Sequence, residues 1–213
     1  LSLFSCSNSD SNNDNNSDSD LVDIDGNIYE TLTICDQTWM KSNLNVSKYR
    51  NGDEIPQVTD GTQWKNLTTG AWCYFQNNTS NGPVYGKLYN WYAVNDPRGL
   101  APKGWHIPSL DEWGEVRNCL GGQNIAGGKM KALTLWNNPN VGASNESGFT
   151  ALPGGLRRGS SFQLFGDWGY WWSSTETEIP GECWRQTLYN GSTNFGTSSD
   201  SKDVGISVRC IKN

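Results

Sequence analysis

The only histidine, His106, is the first residue to test for catalytic chemistry. A histidine that acts as a general base needs a partner that orients its ring, and the spacing of the sequence supplies none. The chain also lacks the C-x2-C and H-x3-H pairs that commonly hold zinc. The pattern therefore favours a structural hydrogen bond from the His106 ring, and it predicts neither an active site nor a metal site.

Six cysteines offer thiol chemistry: Cys6, Cys35, Cys73, Cys119, Cys183 and Cys210. The closest two, Cys183 and Cys210, are 27 positions apart (210 − 183), so there is no C-x-x-C redox pair. If Cys6 carries a lipid, five cysteines remain, and two disulfides with one free thiol is the natural count in an oxidising compartment. Spacing alone does not fix which cysteines pair.

Acidic side chains could serve hydrolysis or calcium binding. Glu146, Asp167 and Glu176 fall in the loop-rich second half, and paired carboxylates cleave glycosidic bonds, but any acidic chain of this length offers such pairs. The stretch "DSNNDNNSDSD" lacks the glycine and the terminal glutamate of an EF-hand loop. We therefore predict no cofactor. Calcium is the alternative, and no motif supports it.

Two further groups suit binding rather than catalysis. Arg157 and Arg158, in "GGLRRGSSF", form a local basic spot that could hold an anionic group or lie on a solvated loop. The stretch "GDWGYWWSST" (166–175) concentrates large aromatic rings. On a strand, Trp168 and Tyr170 share one face and lie nearest the preceding loop, so with Asp167 they are the best ligand-binding candidates.

Composition limits the classes of partner. The net charge is −6 and no block of lysine and arginine occurs, which argues against nucleic acid binding. Only 35% of the residues are hydrophobic, but 11 are tryptophan. Because each large ring buries roughly 150–250 Å², we expect a core built mainly from rings. No stretch approaches the ~18 apolar residues of a membrane span.

The first twenty residues predict a cellular location rather than a folded domain. "LFSC" (3–6) resembles a bacterial lipobox, in which Cys6 would be lipidated after removal of the preceding apolar segment. Residues 7–20 contain only Ser, Asn and Asp, a composition that stays unfolded and suits a tether. A plain unfolded tail and a calcium-binding segment are the alternatives. Residues 1–20 therefore predict a lipid anchor at the bacterial outer membrane or cell surface.

Residues 21–213 contain signals for short elements of both kinds. Asp25-Gly26 predicts a hairpin turn, and Ser109 with Glu112 predicts a capping box that begins a helix ended by Gly121-Gly122. A second helix is predicted over "YGKLYNWYAVND". Strands are predicted at "GAWCYF", "YWWSST", "WRQTLY" and "GISVRCIK". Together these signals predict a single α+β domain.

The ordered chain resembles the Fibrobacter succinogenes major paralogous domain family. The resemblance rests on segments such as "DIDGNIYETLTI", "YGKLYNWYAVNDPRGLAPKGWHIPSLDEW", "NESGFTALPGG" and "GYWWSSTE". "GWHIPSLDEW" is also similar to the "GW-R-L-P-T-x-x-E-W" hallmark of formylglycine-generating-enzyme-like domains. These resemblances imply a C-type-lectin-like fold, with two short helices packed on small twisted antiparallel sheets and with long irregular loops. Members of the family are commonly secreted or surface-anchored, and their role is undefined.

The resemblance also implies details of the site. The close cysteine pair of formylglycine-generating enzymes is missing, and so are the lectin calcium signatures "E-P-N" and "W-N-D". Because the first and last strands of C-type-lectin-like domains lie close together, we expect a Cys73–Cys210 disulfide. Inner strands of this fold are covered on both faces, which would place Trp171 and Trp172 in the core.

We therefore expect a surface-anchored lipoprotein with a non-catalytic extracellular domain that binds a glycan or a partner protein. A divergent enzyme, either of the formylglycine-generating type or a hydrolase, is the alternative. A purely structural envelope protein is a third hypothesis.

Overall fold

The computed structural model describes residues 21–213, so the predicted lipobox with Cys6 and the predicted tether lie outside the described residues. The helices are α1 Gly61–Lys65, α2 Gly82–Tyr85, α3 Trp91–Val94, α4 Leu110–Cys119 and α5 Gln123–Met130. The strands are β1 Leu21–Val22, β2 Ile28–Tyr29, β3 Thr31–Ile34, β4 Gln37–Met40, β5 Trp72–Cys73, β6 Leu88–Tyr89, β7 Trp105–His106, β8 Leu156–Arg158, β9 Ser161–Gln163, β10 Trp168–Glu176, β11 Glu182–Tyr189, β12 Gly196–Ser201 and β13 Ile211–Lys212.

Small antiparallel sheets and short helices make up the domain. A four-stranded sheet has the strand order β3-β4-β13-β7, and a three-stranded sheet has the order β10-β11-β12. Every pairing between these named strands is antiparallel. No helix within residues 21–213 is long and apolar enough to cross a membrane. The predicted mixture of helices and small antiparallel sheets is confirmed.

Helix α4 begins as the sequence predicts. The Ser109 hydroxyl accepts a hydrogen bond from the Glu112 N–H, and the Glu112 carboxylate accepts one from the Ser109 N–H. This reciprocal pair satisfies two backbone donors that a helix N-terminus otherwise leaves unpaired. Gly121 and Gly122 follow the helix with φ of 107° and 85°, a conformation that favours glycine. The capping box and the glycine stop are therefore confirmed.

The helix predicted around residues 85–96 is wrong in extent. Leu88 belongs to β6, which pairs with β5, and α3 covers only four residues. Asn90 explains the break, because its side chain accepts a hydrogen bond from the Ala93 N–H and so caps a new helix at Trp91. Pairing between β5 and β6 is therefore favoured over a helical pattern that is only one turn long.

Helix α5 occupies a stretch in which the sequence predicts no element. Gly127 and Gly128 lie inside it, although glycine disfavours helix interiors. A Cβ at Gly127 would lie 2.4 Å from the Asn194 carbonyl oxygen, and one at Gly128 would lie 2.5 Å from the Gly142 carbonyl oxygen. The glycines are needed because two loops pack directly against the helix backbone.

Strand β10 separates two parts of the core. Tyr170 and Trp172 pack in one cluster of buried side chains, and Trp171 packs in another with Phe149 and Leu188. Trp171 and Trp172 are fully buried. The prediction that both faces of this strand are covered at the tryptophan pair is confirmed.

The predicted Cys73–Cys210 disulfide is wrong. The disulfide joins Cys35, in the turn between β3 and β4, to Cys119 at the end of α4. Cys73, Cys183 and Cys210 are buried free thiols. Cys73 packs beside α1 in a third cluster, whereas Cys210 precedes β13 and packs in the first, so the two thiols occupy different parts of the core.

Candidate functional site

Trp168 lies at the start of β10, directly opposite Tyr189 on β11. Their rings stack with centroids 4.6 Å apart and an interplanar angle of 27°. Trp168 is partly buried against the core, whereas 39% of Tyr189 is exposed. This end of the three-stranded sheet therefore presents a partly exposed pair of rings to solvent.

Tyr170 does not join that surface. Only 4% of the residue is exposed, and the Arg185 guanidinium lies 4.4 Å from the centroid of its ring. Burial raises the pKa of Tyr170, so its hydroxyl stays protonated. The prediction of Tyr170 as a ligand-binding residue is wrong because core packing and Arg185 cover its ring.

Arg157 is also unsuited to hold an external anion. Its side chain is buried and donates hydrogen bonds to the carbonyl oxygens of Val58, Thr59 and Gly159, at 2.6, 2.9 and 2.9 Å. The guanidinium carbon lies 4.4 Å from the ring centroid of Trp64. We correct the prediction for Arg157, because its donors are used to hold the chain around α1.

Arg158 is exposed, as a binding residue should be, but its charge is compensated. Its Nη2 lies 2.6 Å from Oδ2 of the buried Asp200, and Arg185 Nε lies 3.1 Å from the same oxygen. The adjacent arginines therefore have different environments. Arg157 is buried, whereas Arg158 is exposed and forms an ion pair with Asp200.

Asp167 joins three loops. Its Oδ1 accepts hydrogen bonds from Asn137 Nδ2 at 3.0 Å and from Asn190 Nδ2 at 2.9 Å. We call the segments 133–141, 164–168 and 189–192, which these contacts bring together, the loop platform. Of the residues predicted to bind a ligand, Asp167 and Trp168 lie on it.

Lys131 supports the loop platform from within the protein. Its side chain is fully buried, and Nζ donates to the carbonyl oxygens of Val141, Tyr189 and Ser192 at 2.9, 3.1 and 2.8 Å. Burial lowers the pKa of Lys131 to about 8, so the ammonium form predominates at neutral pH. Its three donors match three backbone acceptors, and of these the Tyr189 carbonyl also accepts from the Ser192 N–H.

The loop platform carries a large share of the exposed apolar side chains. Its segments are nine, five and four residues long, yet they hold five of the eleven large hydrophobic side chains that are exposed among residues 21–213. These five are Leu133, Leu135, Val141, Leu164 and Tyr189. Clusters of exposed apolar side chains mark interaction sites more often than scattered ones do.

Two of these leucines also have an unusual backbone. Leu135 has φ of 71° and Leu164 has φ of 63°, values that cost a bulky residue of order 1–3 kcal/mol. Such conformations tend to occur at binding sites, where the surrounding structure imposes them. The sequence gives no local signal for either leucine, or for Lys131, because each depends on loops that meet only in the folded chain.

His106 makes the hydrogen bonds that the sequence favours, but it also has the carboxylate partner that the spacing did not indicate, Glu112. Its Nε2 lies 2.7 Å from Glu112 Oε1, and its Nδ1 lies 2.8 Å from Asn213 Oδ1. Burial opposes ionisation of Glu112, but the hydrogen bonds from Ser109 and His106 outweigh it and lower the pKa of Glu112. The His106 ring thus joins the start of α4 to the last residue of the chain.

The carboxylates weighed for hydrolysis have separate partners. Glu146 pairs with Lys129 at 3.1 Å, and Glu176 pairs with Lys202 at 2.9 Å, whereas Asp167 is bound by amides. Within residues 21–213, no three His, Cys, Asp or Glu side chains form a group that could hold a metal ion.

Comparison with known proteins identifies the family. The model of the Fibrobacter succinogenes major domain matches residues 32–212. The chain therefore belongs to the Fibrobacter succinogenes major domain family, as its sequence segments indicate. No curated protein and no solved structure matches it.

Proposed function

We propose that this chain is a surface-anchored bacterial lipoprotein with a C-type-lectin-like, non-catalytic domain, and that the loop platform binds a partner protein outside the cell. The observation that carries the proposal is the set of exposed apolar side chains on three loops held by Lys131 and Asp167. Burying such side chains against a partner is favourable by roughly 25 cal/mol per Å² of apolar surface.

The hydrogen bonds that hold the loops of the loop platform in place also favour binding. Loops that must become ordered on association reduce affinity, because ordering costs conformational entropy. Here Lys131 holds segments 133–141 and 189–192, while Asp167 and Asn190 add amide hydrogen bonds. The platform therefore binds with its loops already in place.

Leucine and valine side chains favour a protein partner over a sugar. They bury apolar surface efficiently but offer no flat ring to the C–H face of a sugar. The Trp168–Tyr189 ring pair supports a glycan as the second candidate, because aromatic rings combine an apolar face with polar atoms. The two candidates differ in the residues on which binding depends, Leu135 and Leu164 or Trp168 and Tyr189.

The Cys35–Cys119 disulfide supports a location outside the cytoplasm, because disulfides persist in oxidising compartments. The lipobox-like segment with Cys6 supports attachment to the outer membrane or cell surface. Palmitate-analogue labelling of the full-length chain in its bacterium tests this part. We expect a label that disappears in Cys6→Ala; a label that persists in this variant rejects Cys6 as the lipidation site.

A non-catalytic role is supported because the side chains that could act in catalysis already have hydrogen-bond or ion-pair partners. Both ring nitrogens of His106 are used, and Glu146 and Glu176 pair with different lysines.

Site-specific photo-crosslinking tests the loop platform. A photoreactive phenylalanine analogue at Leu135 or Leu164, in the bacterium that produces the protein, should yield one shared crosslinked protein. The matched control is Val84, which is exposed and lies outside the platform. The purified partner should bind the Leu164→Asp variant about tenfold more weakly, or about 1.4 kcal/mol. Equal crosslinking at Val84, or none at either leucine, contradicts the proposal.

A further inference from the structure

A second recess lies outside the loop platform. A cleft of about 260 Å³ is lined by residues 68–70, 91–92 and 95–98 and by Lys202; we call it the polar cleft. Sites for drug-sized ligands usually measure about 300–1,000 Å³. The polar cleft therefore suits one small chemical unit, and the nature of that unit depends on the groups that line it.

The cations of the polar cleft are already paired. Arg98 Nη2 lies 2.8 Å from Asp96 Oδ2, and Arg98 Nη1 lies 3.2 Å from Asp53 Oδ2. Lys202 Nζ lies 2.9 Å from Glu176 Oε2. Asp53 and Glu176 lie outside the lining, but with Asp96 they leave each lining cation paired with a carboxylate, so an anionic ligand would have to compete with these ion pairs.

The other lining groups suit hydroxyl groups. The side chains of Thr68, Thr69 and Asn95 are exposed, and each can both donate and accept hydrogen bonds. Hydrogen bonding from Arg98 lowers the pKa of Asp96, so this carboxylate stays ionised at neutral pH and accepts from hydroxyls. The Asp96–Arg98 pair therefore places planar acceptors and donors side by side.

Rings supply the apolar part of the polar cleft. Tyr92 is half-buried and presents part of its ring. Trp91 is buried, and Lys202 Nζ lies 4.7 Å from its ring centroid. A ring beside exposed hydroxyl, amide and carboxylate groups matches a ligand that has both C–H faces and hydroxyls.

We infer that the polar cleft binds a single neutral sugar residue, either free or at the end of a glycan. The ion pairs disfavour uronic acids and phosphates, and the size of the cleft limits the contact to about one ring. This site shares no residue with the loop platform, so the inference stands or falls independently of the proposed protein partner.

Saturation-transfer NMR on the full chain tests the inference. The probes are the methyl glycosides of glucose, galactose, mannose and xylose, with glucuronic acid and glucosamine as charged comparisons. We expect saturation transfer to at least one neutral glycoside. The Asn95→Ala and Thr68→Val variants should each weaken it about two- to tenfold, the range expected for one lost hydrogen bond.

Asn118→Ala is the matched control, because Asn118 is an exposed asparagine on α4 outside the cleft. Thermal melting of each variant confirms that the fold is kept. Transfer to no neutral glycoside overturns the inference, and so does stronger transfer to glucuronic acid or glucosamine. Equal binding by Asn95→Ala and Asn118→Ala, with loss in Trp168→Ala instead, moves the sugar to the ring pair of the loop platform.

Discussion

Strand β10 and the loop platform meet at Trp168, but different interactions stabilise them. Trp171 and Trp172 on β10 are held by burial of large rings. The platform loops are held by hydrogen bonds from the buried Lys131 and from Asn190 to backbone carbonyls. The chain therefore obtains bulk stability from buried rings, whereas buried polar groups set the geometry of its loops.

The same arrangement recurs at two buried arginines. Arg209 donates to the carbonyl oxygens of Met40 and Phe149 and to Asn43 Oδ1, and Arg157 donates to three carbonyls around α1. Each also lies over an aromatic ring. A buried carbonyl without a partner costs free energy, and in this loop-rich fold internal cations supply the missing donors.

Loss of a buried tryptophan ring on β10 should destabilise the protein most. Trp172→Ala should lower the free energy of unfolding by about 3–5 kcal/mol, because it leaves a large cavity in the core. Trp171→Ala should behave similarly, since it is buried on the other face of β10. Denaturant midpoints measure both effects. A loss below about 1 kcal/mol at either position would show that the core collapses to fill the space.

Lys131→Met should have a smaller and more local effect. Methionine keeps most of the apolar stem but removes the ammonium donor from the carbonyls of Val141, Tyr189 and Ser192. We expect a loss of about 2–3 kcal/mol, with hydrogen exchange accelerated in the loop platform before β10. Uniform acceleration across both regions would mean that the platform has no separate support.

Alkaline pH should change the stability contributed by the buried core thiols and by Lys131 with opposite sign. Burial raises the pKa of Cys210 to about 12 and that of Cys73 to about 11. Their stabilising contribution is complete below the unfolded value near 9 and is lost as pH rises toward these values, by about 1.4 kcal/mol per pH unit per thiol. Lys131, with its lowered pKa, contributes more stability as pH rises above about 8.

Unfolding curves from pH 8 to 11 on the parent chain and on Cys210→Ala measure the thiol contribution. The variant should show a shallower loss of stability above pH 9. Identical slopes in the two proteins would show that the Cys210 thiol does not titrate between the folded and unfolded states.

The smallest effect is expected at Trp168. Its ring is only partly buried, so Trp168→Ala should cost about 1–2 kcal/mol, well below the cost at Trp172. If the ring pair binds a glycan, the same variant loses that binding while its denaturant midpoint moves little. A destabilisation equal to that of Trp172→Ala would assign Trp168 to the core.

Local signals explain which predictions succeed. The capping box of α4 and the hairpin turn at Asp25-Gly26 depend on residues within a few positions of each other, and both are present. The sequence pattern does not predict helix α5, because its glycines are explained only by close contacts with loops more than ten residues away. A sequence pattern predicts an element only when the residues that stabilise it are close to it in the sequence.

The candidate site shows the same limit. Arg157 and Arg158 are identical in type and adjacent, yet one is buried under carbonyl contacts and the other is exposed. Disulfide connectivity and the support of three loops by Lys131 likewise depend on distant segments. Alternation along β10 predicted the faces of Trp171 and Trp172 correctly, but not how far Tyr170 lies beneath Arg185.

If the domain is tethered at its N-terminal end and loaded at the loop platform, as we propose, the Cys35–Cys119 disulfide has a mechanical consequence. Tension entering at residue 21 reaches Cys35 and passes through the sulfur bridge to Cys119, which is 84 positions further along the chain. The intervening segment, which contains residues 68–70, 91–92 and 95–98 of the polar cleft, carries none of that load. At roughly 3.4 Å per residue, about 280 Å of extensible chain is withheld from stretching until the bridge is reduced.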